Sequence, residues 1–285
     1  MIPYGGIEAG GSKWECAVGR GPHELHAVET IPTTTPGETI ERVLAFFERA
    51  GPVAAIGIGS FGPIDTDLGS PTWGYITSTP KPGWANTNVA HEIRRRLSVP
   101  VTFDTDVNAA ALAEYRWGAA QGLETFCYVT VGTGIGGGAM AGGKLLHGFV
   151  HPEFGHMRIP HDRERDAFAG ACPFHGDCWE GLASGGAMEQ RWGRSPADLD
   201  GDPRVWKLEA HYLALGLVSV VYVLSPERIL IGGGVMRHPE LISLVQREVE
   251  RLMNGYQEAP AIMLPALSPR SGVLGALALA QSAPA

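Results

Sequence analysis

Two cysteines and two histidines lie in one short segment rich in glycine and proline, and this pattern constrains the fold more than any other. The segment spans residues 151–181 and contains His156, Cys172, His175 and Cys178. Two thiolates and two imidazoles are the ligand set of a closed tetrahedral zinc site. Because four protein ligands leave no open position for water, we expect a structural ion. The alternative is that the cysteines are unrelated core thiols and the histidines lie on the surface.

The same segment carries two carboxylates close to the predicted ligands. Glu153 lies three residues before His156, and Glu180 lies two residues after Cys178. A metal that fixes this loop would also fix where the carboxylates point. We therefore expect the loop to present hydrogen-bond acceptors to a ligand rich in hydroxyl groups.

Charge and composition exclude several classes of protein. The chain has 285 residues and a formal net charge of −8, and its one basic run, Arg94–Arg96, is typical of the polar face of a helix. Nucleic-acid binding is therefore disfavoured. No basic region followed by an apolar run opens the sequence, and the longest apolar stretch, 213–224, is about twelve residues, too short to span a bilayer. Cys16 and Cys127 are predicted to be buried small apolar residues. We expect a cytoplasmic protein without a membrane or nucleic-acid partner.

Strands alternate with helices along the chain, which predicts an α/β fold. Residues 4–19 have the pattern of a strand, a glycine-rich turn and a second strand, and residues 125–143 repeat it. The repeat predicts a duplicated architecture.

Both glycine-rich turns have the composition of phosphate-binding loops. Glycines let the backbone approach an anion closely, and the backbone N–H groups can then donate hydrogen bonds to it. The first turn contains Gly10, Gly11, Ser12 and Lys13, and the second contains Gly132, Thr133 and Gly134. Strand-like residues follow the second turn, which excludes a dinucleotide-binding fingerprint, and no Walker A motif occurs. Ordinary hairpin turns remain the alternative for each one taken alone.

A third glycine run follows an apolar strand near the C-terminus. It consists of Gly232, Gly233 and Gly234 and precedes a predicted helix. Bare backbone at this point can lie flat against a purine, and a simple strand-to-helix turn is the alternative.

Asp106 follows a strand and opens a helix. An acidic residue at that point can cap the helix, or it can serve as a general base. Asn108 offers a donor and an acceptor suited to a sugar hydroxyl.

These motifs together resemble those of the ROK family of sugar kinases, within the hexokinase/actin-like superfamily, and in particular its zinc-containing bacterial fructokinases. The matching segments occur in family order and cover nearly the whole chain: 5–13, 104–111, 132–136, 151–156, 172–181 and 231–235. The resemblance implies two ribonuclease-H-like lobes flanking a deep cleft. We place one lobe at 1–112 plus 271–285 and the other, with the zinc loop, at 113–270. A homodimer is the family expectation.

The resemblance also implies roles for the residues named above. ATP and Mg²⁺ would bind on the two glycine-rich turns, with adenosine near Gly232–Val235 and Glu8 holding the magnesium through water. Asp106 would be the base. The sugar contacts would be Gly62, Pro63, Lys81, Asn108, Glu153 and Glu180. Glu8 stands where most of the superfamily has Asp, and Ser12 where Thr is commoner. His175 replaces a cysteine of the ROK glucokinases, which favours a fructokinase.

The expected activity is ATP-dependent phosphorylation of D-fructose to fructose 6-phosphate. A glucokinase, a mannokinase or an N-acetylhexosamine kinase of the same family is the nearest alternative. A sugar-responsive ROK regulator is an alternative of another class, but regulators carry an N-terminal helix-turn-helix extension, and this sequence begins at the first strand. The last alternative is a sugar-binding protein without catalysis, which the intact phosphate turns disfavour.

Overall fold

The computed structural model describes residues 2–199 and 201–283. The chain divides into two compact units. Unit 1 comprises residues 1–122, 145–151 and 266–285, and unit 2 comprises residues 123–144 and 152–265. Each unit has its own sheet and its own apolar core.

The strands and helices follow one another in an α/β arrangement. The strands are β1 Tyr4–Ala9, β2 Lys13–Gly21, β3 Glu24–Pro32, β4 Ile56–Ser60, β5 Tyr75–Ile76, β6 Thr87–Asn88, β7 Val101–Thr105, β8 Phe126–Val131, β9 Ile135–Ala141, β10 Lys144–Leu145, β11 Arg228–Gly232 and β12 Ala261–Met263. The helices are α1 Pro36–Ala50, α2 Ala90–Leu97, α3 Asp106–Trp117, α4 Trp179–Ala183, α5 Gly185–Trp192, α6 Pro203–Leu224, α7 Leu241–Met253 and α8 Ser271–Ala280.

The main sheet of unit 1 has the strand order β3-β2-β1-β4-β7. The hairpin β1–β2 is antiparallel and pairs Ile7 with Cys16, whereas β4 runs parallel to β1 and pairs Ile58 with Ile7. These three side chains are fully buried. The parallel strands β4 and β7 end side by side, which places the start of α3 at the carboxyl edge of the sheet.

The main sheet of unit 2 repeats that topology with the order β10-β9-β8-β11-β12. An antiparallel hairpin, β8–β9, again lies beside two parallel strands, β11 and β12. The predicted α/β class and the predicted duplication are therefore confirmed. The buried residues Cys16 and Cys127 lie in the hairpin strands β2 and β8, as expected of small apolar side chains.

Helix α1 shows how local sequence sets an element. Thr35 caps it by accepting a hydrogen bond from Glu38 N, and Pro36 occupies its first turn. Its buried residues recur at helical spacing and form one apolar face against the unit 1 core: Ile40, Val43, Leu44 and Phe47.

Helix α6 is longer than the apolar stretch seen in the sequence. It spans 22 residues and, by length and composition alone, is long and apolar enough to cross a membrane. Half of its apolar window is buried inside the protein, and many of its side chains belong to the unit 2 core. Core helices pass the same test, so its composition is explained by packing.

The predicted lobe boundary after residue 112 would cut through α3. This helix packs closely on α8, where a Cβ on Gly275 would overlap the Ala109 backbone, so α3 stays whole within unit 1. Residues 145–151 also belong to unit 1, although the sequence placed them in the second lobe. The hydrogen bond from Ile64 N to His151 Nε2, 3.1 Å long, is one contact that holds them there.

Candidate active site and metal centre

Asp106 is the first residue of α3, and the capping role belongs to its neighbour. Thr105 is the N-cap, and its Oγ1 accepts a hydrogen bond from Asn108 N at 3.1 Å. Asp106 Oδ1 accepts a hydrogen bond from the adjacent Val107 N, at 2.9 Å. Burial raises the pKa of Asp106 to about 6. A carboxyl group with a pKa near neutrality is suited to proton transfer at physiological pH.

Glu8 in β1 is the second carboxylate of this part of unit 1. Its carboxyl group packs on Gly272 at the start of α8 and accepts a hydrogen bond from Val273 N. Burial, and then the negative charges of Asp106 and Glu15, raise the pKa of Glu8 to about 7. Because like charges destabilise one another here, a cation would be bound favourably. Carboxylate oxygen is also the ligand type that Mg²⁺ prefers, so the residues fit a magnesium ion.

The turn of unit 1 between β1 and β2 is a tight hairpin. Gly10 N donates to Lys13 O at 3.0 Å, so the Gly10 amide is not available to a phosphate. A side chain on Gly11 would meet open space, and Lys13 is mostly exposed. Gly11, Ser12 and Lys13 remain the residues of this turn that can face a ligand.

The turn of unit 2, between β8 and β9, is supported from behind. Glu180 Oε2 accepts a hydrogen bond from Ile135 N at 2.9 Å and packs against Gly134. Gly185 N donates to Gly132 O at 2.7 Å, which joins the turn to the N-terminus of α5. Glu180, expected to contact the sugar, thus holds the predicted phosphate turn in this structure.

A cavity of about 530 Å³ opens beside this turn within unit 2. Its size lies in the range of small-molecule sites. It brings together the two predicted nucleotide elements, because its lining includes Gly132 and Thr133 from one and Gly234 and Val235 from the other. Further lining residues carried no sequence signal because they come from distant segments: Gly185, Gly186, Glu189, Ser195, Pro196, Ala197, Trp206, Arg237 and His238.

The glycine run at the end of β11 forms the predicted turn and also lines the cavity. Gly233 has a φ of +98°, and a Cβ there would overlap the Val131 backbone, so the turn itself requires glycine. Gly234 lines the cavity, and a Cβ at this residue would meet no other atom within 4 Å. Trp206 and His238 stack on the same cavity wall with ring centroids 3.9 Å apart.

The four predicted metal ligands converge in unit 2. His156 Nδ1 lies 3.7 Å from Cys172 Sγ and 3.8 Å from Cys178 Sγ, and His175 Nδ1 lies 3.7 Å from Cys172 Sγ. All four ligand atoms lie within 4.8 Å of one another. Zinc–sulfur and zinc–nitrogen bonds of normal length place S and N about 3.6 Å apart around a tetrahedral ion. The arrangement therefore fits a zinc ion.

The remaining predicted sugar residues are divided between the units. Gly62, Pro63, Lys81 and Asn108 belong to unit 1, and Glu153 belongs to unit 2. Glu153 is exposed and directly precedes the 3₁₀ turn Phe154–His156. The predicted metal ligand His156 thus lies in the turn that directly follows the predicted sugar ligand Glu153.

A cluster that the sequence did not predict surrounds Asn108. Its Nδ2 donates to Asp104 Oδ1 at 3.0 Å, and Asp104 Oδ2 lies 2.8 Å from His147 Nε2. Asp104 was only part of a matching motif, and His147 belonged to none. The 43 residues between them explain why spacing gave no signal.

Comparison with known proteins agrees with this geometry. The ROK family model matches residues 4–283. The chain is 46% identical over 295 residues to a fructokinase of Zymomonas mobilis, covering 98% of this chain and 97% of that protein. It is 42% identical over 287 residues to a fructokinase of Lactococcus lactis, covering 99% and 98%.

A solved structure shares the architecture. The ROK family glucokinase of Streptomyces griseus, in complex with glucose and AMPPNP, superposes with a TM-score of 0.81 at 25% identity, covering 98% of this chain and 99% of that one. The predicted actin/hexokinase-like fold with two lobes is thereby confirmed. With a family match over nearly its whole length, the chain belongs to the ROK family.

Proposed function

We propose that the protein is an ATP-dependent fructokinase that converts D-fructose to fructose 6-phosphate. The observation that carries this proposal is the match of 46% and 42% identity to two fructokinases over almost the entire chain. The glucokinase with bound glucose is more distant, at 25% identity. Fructose is therefore favoured over glucose, mannose and N-acetylated hexoses as the acceptor.

Asp106 is proposed as the general base that removes the proton of the attacking sugar hydroxyl. Phosphoryl transfer depends mainly on positioning and on neutralising charge. The raised pKa of Asp106, about 6, lets the carboxylate accept a proton while it remains mostly ionised at pH 7. Thr105 caps α3 independently, so Asp106 is free for this role.

The cavity of unit 2 is proposed to bind the nucleotide. The Gly132–Gly134 turn would face the phosphates, and the Gly232–Gly234 run would lie against the adenine. Support comes from the cavity itself, which both elements line, and from the AMPPNP in the related glucokinase. Gly11, Ser12 and Lys13 of unit 1 would contribute further phosphate contacts.

Glu8 is proposed to hold magnesium through water. Magnesium would supply charge neutralisation for the phosphates during transfer. The cluster of His156, Cys172, His175 and Cys178 is proposed to hold a structural zinc ion. Its contribution is to order the loop in which Glu153 lies, so that the carboxylate can accept hydrogen bonds from sugar hydroxyls.

ATP and a hexose are the proposed partners, in a cytoplasmic homodimer. Exposed apolar side chains support association of two copies, since Tyr222 and Tyr256 are exposed and in ring contact, with Val223 81% exposed beside Tyr222 in sequence.

The test is a coupled ADP-release assay of the purified protein with fructose, glucose, mannose and N-acetylhexosamines. We expect fructose to give the highest kcat/KM. A clear preference for another hexose would replace the substrate but keep the kinase, whereas no ATP consumption with any sugar would overturn the proposed function.

A further inference from the structure

The amide of Asn108 is fixed from one side by atoms that can only accept hydrogen bonds. Its Nδ2 lies 3.0 Å from Asp104 Oδ1 and 3.4 Å from Leu146 O. Neither a carboxylate nor a carbonyl oxygen has a hydrogen to donate. The NH₂ group must therefore occupy this side, because the opposite orientation would bring two oxygens together.

The amide oxygen of Asn108 has no hydrogen-bond partner in residues 2–199 and 201–283. The residue is only 1% exposed. A buried acceptor without a partner is costly to the folded state, and such groups in native proteins call for an explanation. A hydroxyl group of a bound ligand would satisfy it.

Asp104 is itself held from two further directions. Its Oδ1 accepts from Thr105 N at 2.7 Å, and its Oδ2 lies 2.8 Å from His147 Nε2. Because the carboxylate accepts, His147 Nε2 carries the hydrogen of that bond. The 3.4 Å approach of His147 Nε2 to Asn108 Nδ2 then joins two donors and is not a hydrogen bond. His147 thus acts on Asn108 through Asp104, whose hydrogen bond raises the pKa of the imidazole.

We infer that Asp104 and His147 are positioning residues that lock the Asn108 amide with its oxygen left unpaired, so that one hydroxyl of the bound sugar can donate a hydrogen bond to it. The inference rests on the proposed sugar kinase activity and deepens it. An amide oxygen fixed in this way would make the site selective for a hydrogen-bond donor at that position of the sugar. Fluorine cannot donate a hydrogen bond, so a deoxyfluoro sugar should be rejected there as strongly as the deoxy sugar. An amide that turned its NH₂ group toward the sugar could still donate to fluorine, and it would therefore accept the deoxyfluoro sugar better than the deoxy sugar.

The experiment measures kcat and KM for fructose and its monodeoxy and monodeoxyfluoro analogues, excluding the phosphorylated position. In the wild type we expect a position at which both analogues lose about tenfold or more in kcat/KM. In His147→Ala and in the shorter His147→Asn, that loss should shrink at this position alone, while the KM for ATP stays unchanged. His147→Gln should restore the loss, because its amide can still donate to Asp104. The exposed His23 provides the control, since His23→Ala should leave every value unchanged.

Two results separate the inference from the proposed function. A wild type that phosphorylates fructose, with the analogue losses unaltered in His147→Ala and His147→Asn, overturns the positioning role and leaves the kinase intact. A wild type that phosphorylates no hexose overturns both. If His147→Ala fails to fold, His147→Asn and His147→Gln carry the same comparison.

Discussion

The two units share one sheet topology but differ in the chemistry that each supports. Unit 1 carries two half-buried carboxylates, Glu8 and Asp106, whose pKa values are raised to about 7 and about 6. Unit 2 carries the cavity of about 530 Å³ and the Cys/His cluster. Their hairpin turns also differ in the contacts that hold them. The turn of unit 1 closes on itself through Gly10, whereas Glu180 and the start of α5 support the turn of unit 2.

This difference shows that the duplicated sequence pattern determines the sheet topology, whereas the residues packed around each turn determine what that turn can bind. A repeated strand–turn–strand pattern is enough to form the same sheet twice. What each turn can bind depends on the residues that hold it, which are Thr33 in unit 1 and residues of α4 and α5 in unit 2. If this division holds, substitution of Asp106 in unit 1 should affect proton transfer, whereas substitutions behind the turn or in the Cys/His cluster of unit 2 should affect nucleotide affinity or metal content.

The largest expected effect is that of Asp106→Asn in unit 1. The amide keeps the shape of the side chain but cannot act as a base, so kcat should fall by roughly 10² to 10⁴. Steady-state kinetics with ATP and fructose give the measurement. Glu48→Gln, an exposed change on α1, is the control and should retain full activity. Near-normal kcat in Asp106→Asn would exclude Asp106 as the base.

The second prediction concerns the metal cluster of unit 2. Cys178→Ser should release about one zinc per chain, and zinc can contribute on the order of 10 kcal/mol to its own site. The loop holding Glu153 should then lose its order, and the KM for fructose should rise. Elemental analysis measures the zinc. Cys127→Ala removes a buried thiol from the same unit and should keep the ion. Wild-type protein purified without bound zinc would contradict the prediction.

The sequence could predict those features whose determinants are local. Glycines between two apolar strands predicted both hairpins, and the Cys/His cluster could be predicted because its four residues lie in one short segment. The cavity could not be predicted, since Gly186, Trp206 and His238 come together only after α5, α6 and β11 have packed. The hydrogen bond of Glu180 to the turn of unit 2 could not be predicted for the same reason, because its partner Ile135 is 45 residues away.

The third prediction concerns Glu153, expected to contact the sugar. Glu153→Gln should raise the KM for fructose by about tenfold, or roughly 1.4 kcal/mol, because a charge-assisted hydrogen bond is lost. The KM for ATP should hardly change. Glu164→Gln, an exposed change in the same segment, is the matched control. Equal increases in both KM values would place Glu153 outside the sugar site.

The fourth prediction tests whether Glu180 serves the sugar or the nucleotide. In the structure its carboxylate supports the turn of unit 2 through Ile135 N. Glu180→Ala should therefore raise the KM for ATP by about fivefold, or about 1 kcal/mol, and leave the KM for fructose unchanged. Zinc content must be measured in parallel, because Cys178 lies two residues away. A rise in the KM for fructose alone would return Glu180 to the sugar site, as the sequence predicted.

The smallest expected effect is on stability as a function of pH. Both carboxyl groups of unit 1 have folded-state pKa values above their ordinary values, 4.5 for Glu8 and 3.8 for Asp106. The folded state therefore binds more protons than the unfolded state between about pH 4 and pH 7, and stability from these groups is lost as the pH rises through that window. Asp106→Asn removes one of the two charges. Without magnesium, the variant should be no less stable than the wild type at pH 4 and should gain relative to it by pH 8, by a few degrees at most in Tm. Thermal unfolding across this range checks the sign. If the variant instead loses stability relative to the wild type as the pH rises, the folded state stabilises the charge of Asp106. The pKa of its carboxyl group would then lie below the ordinary value and not above it.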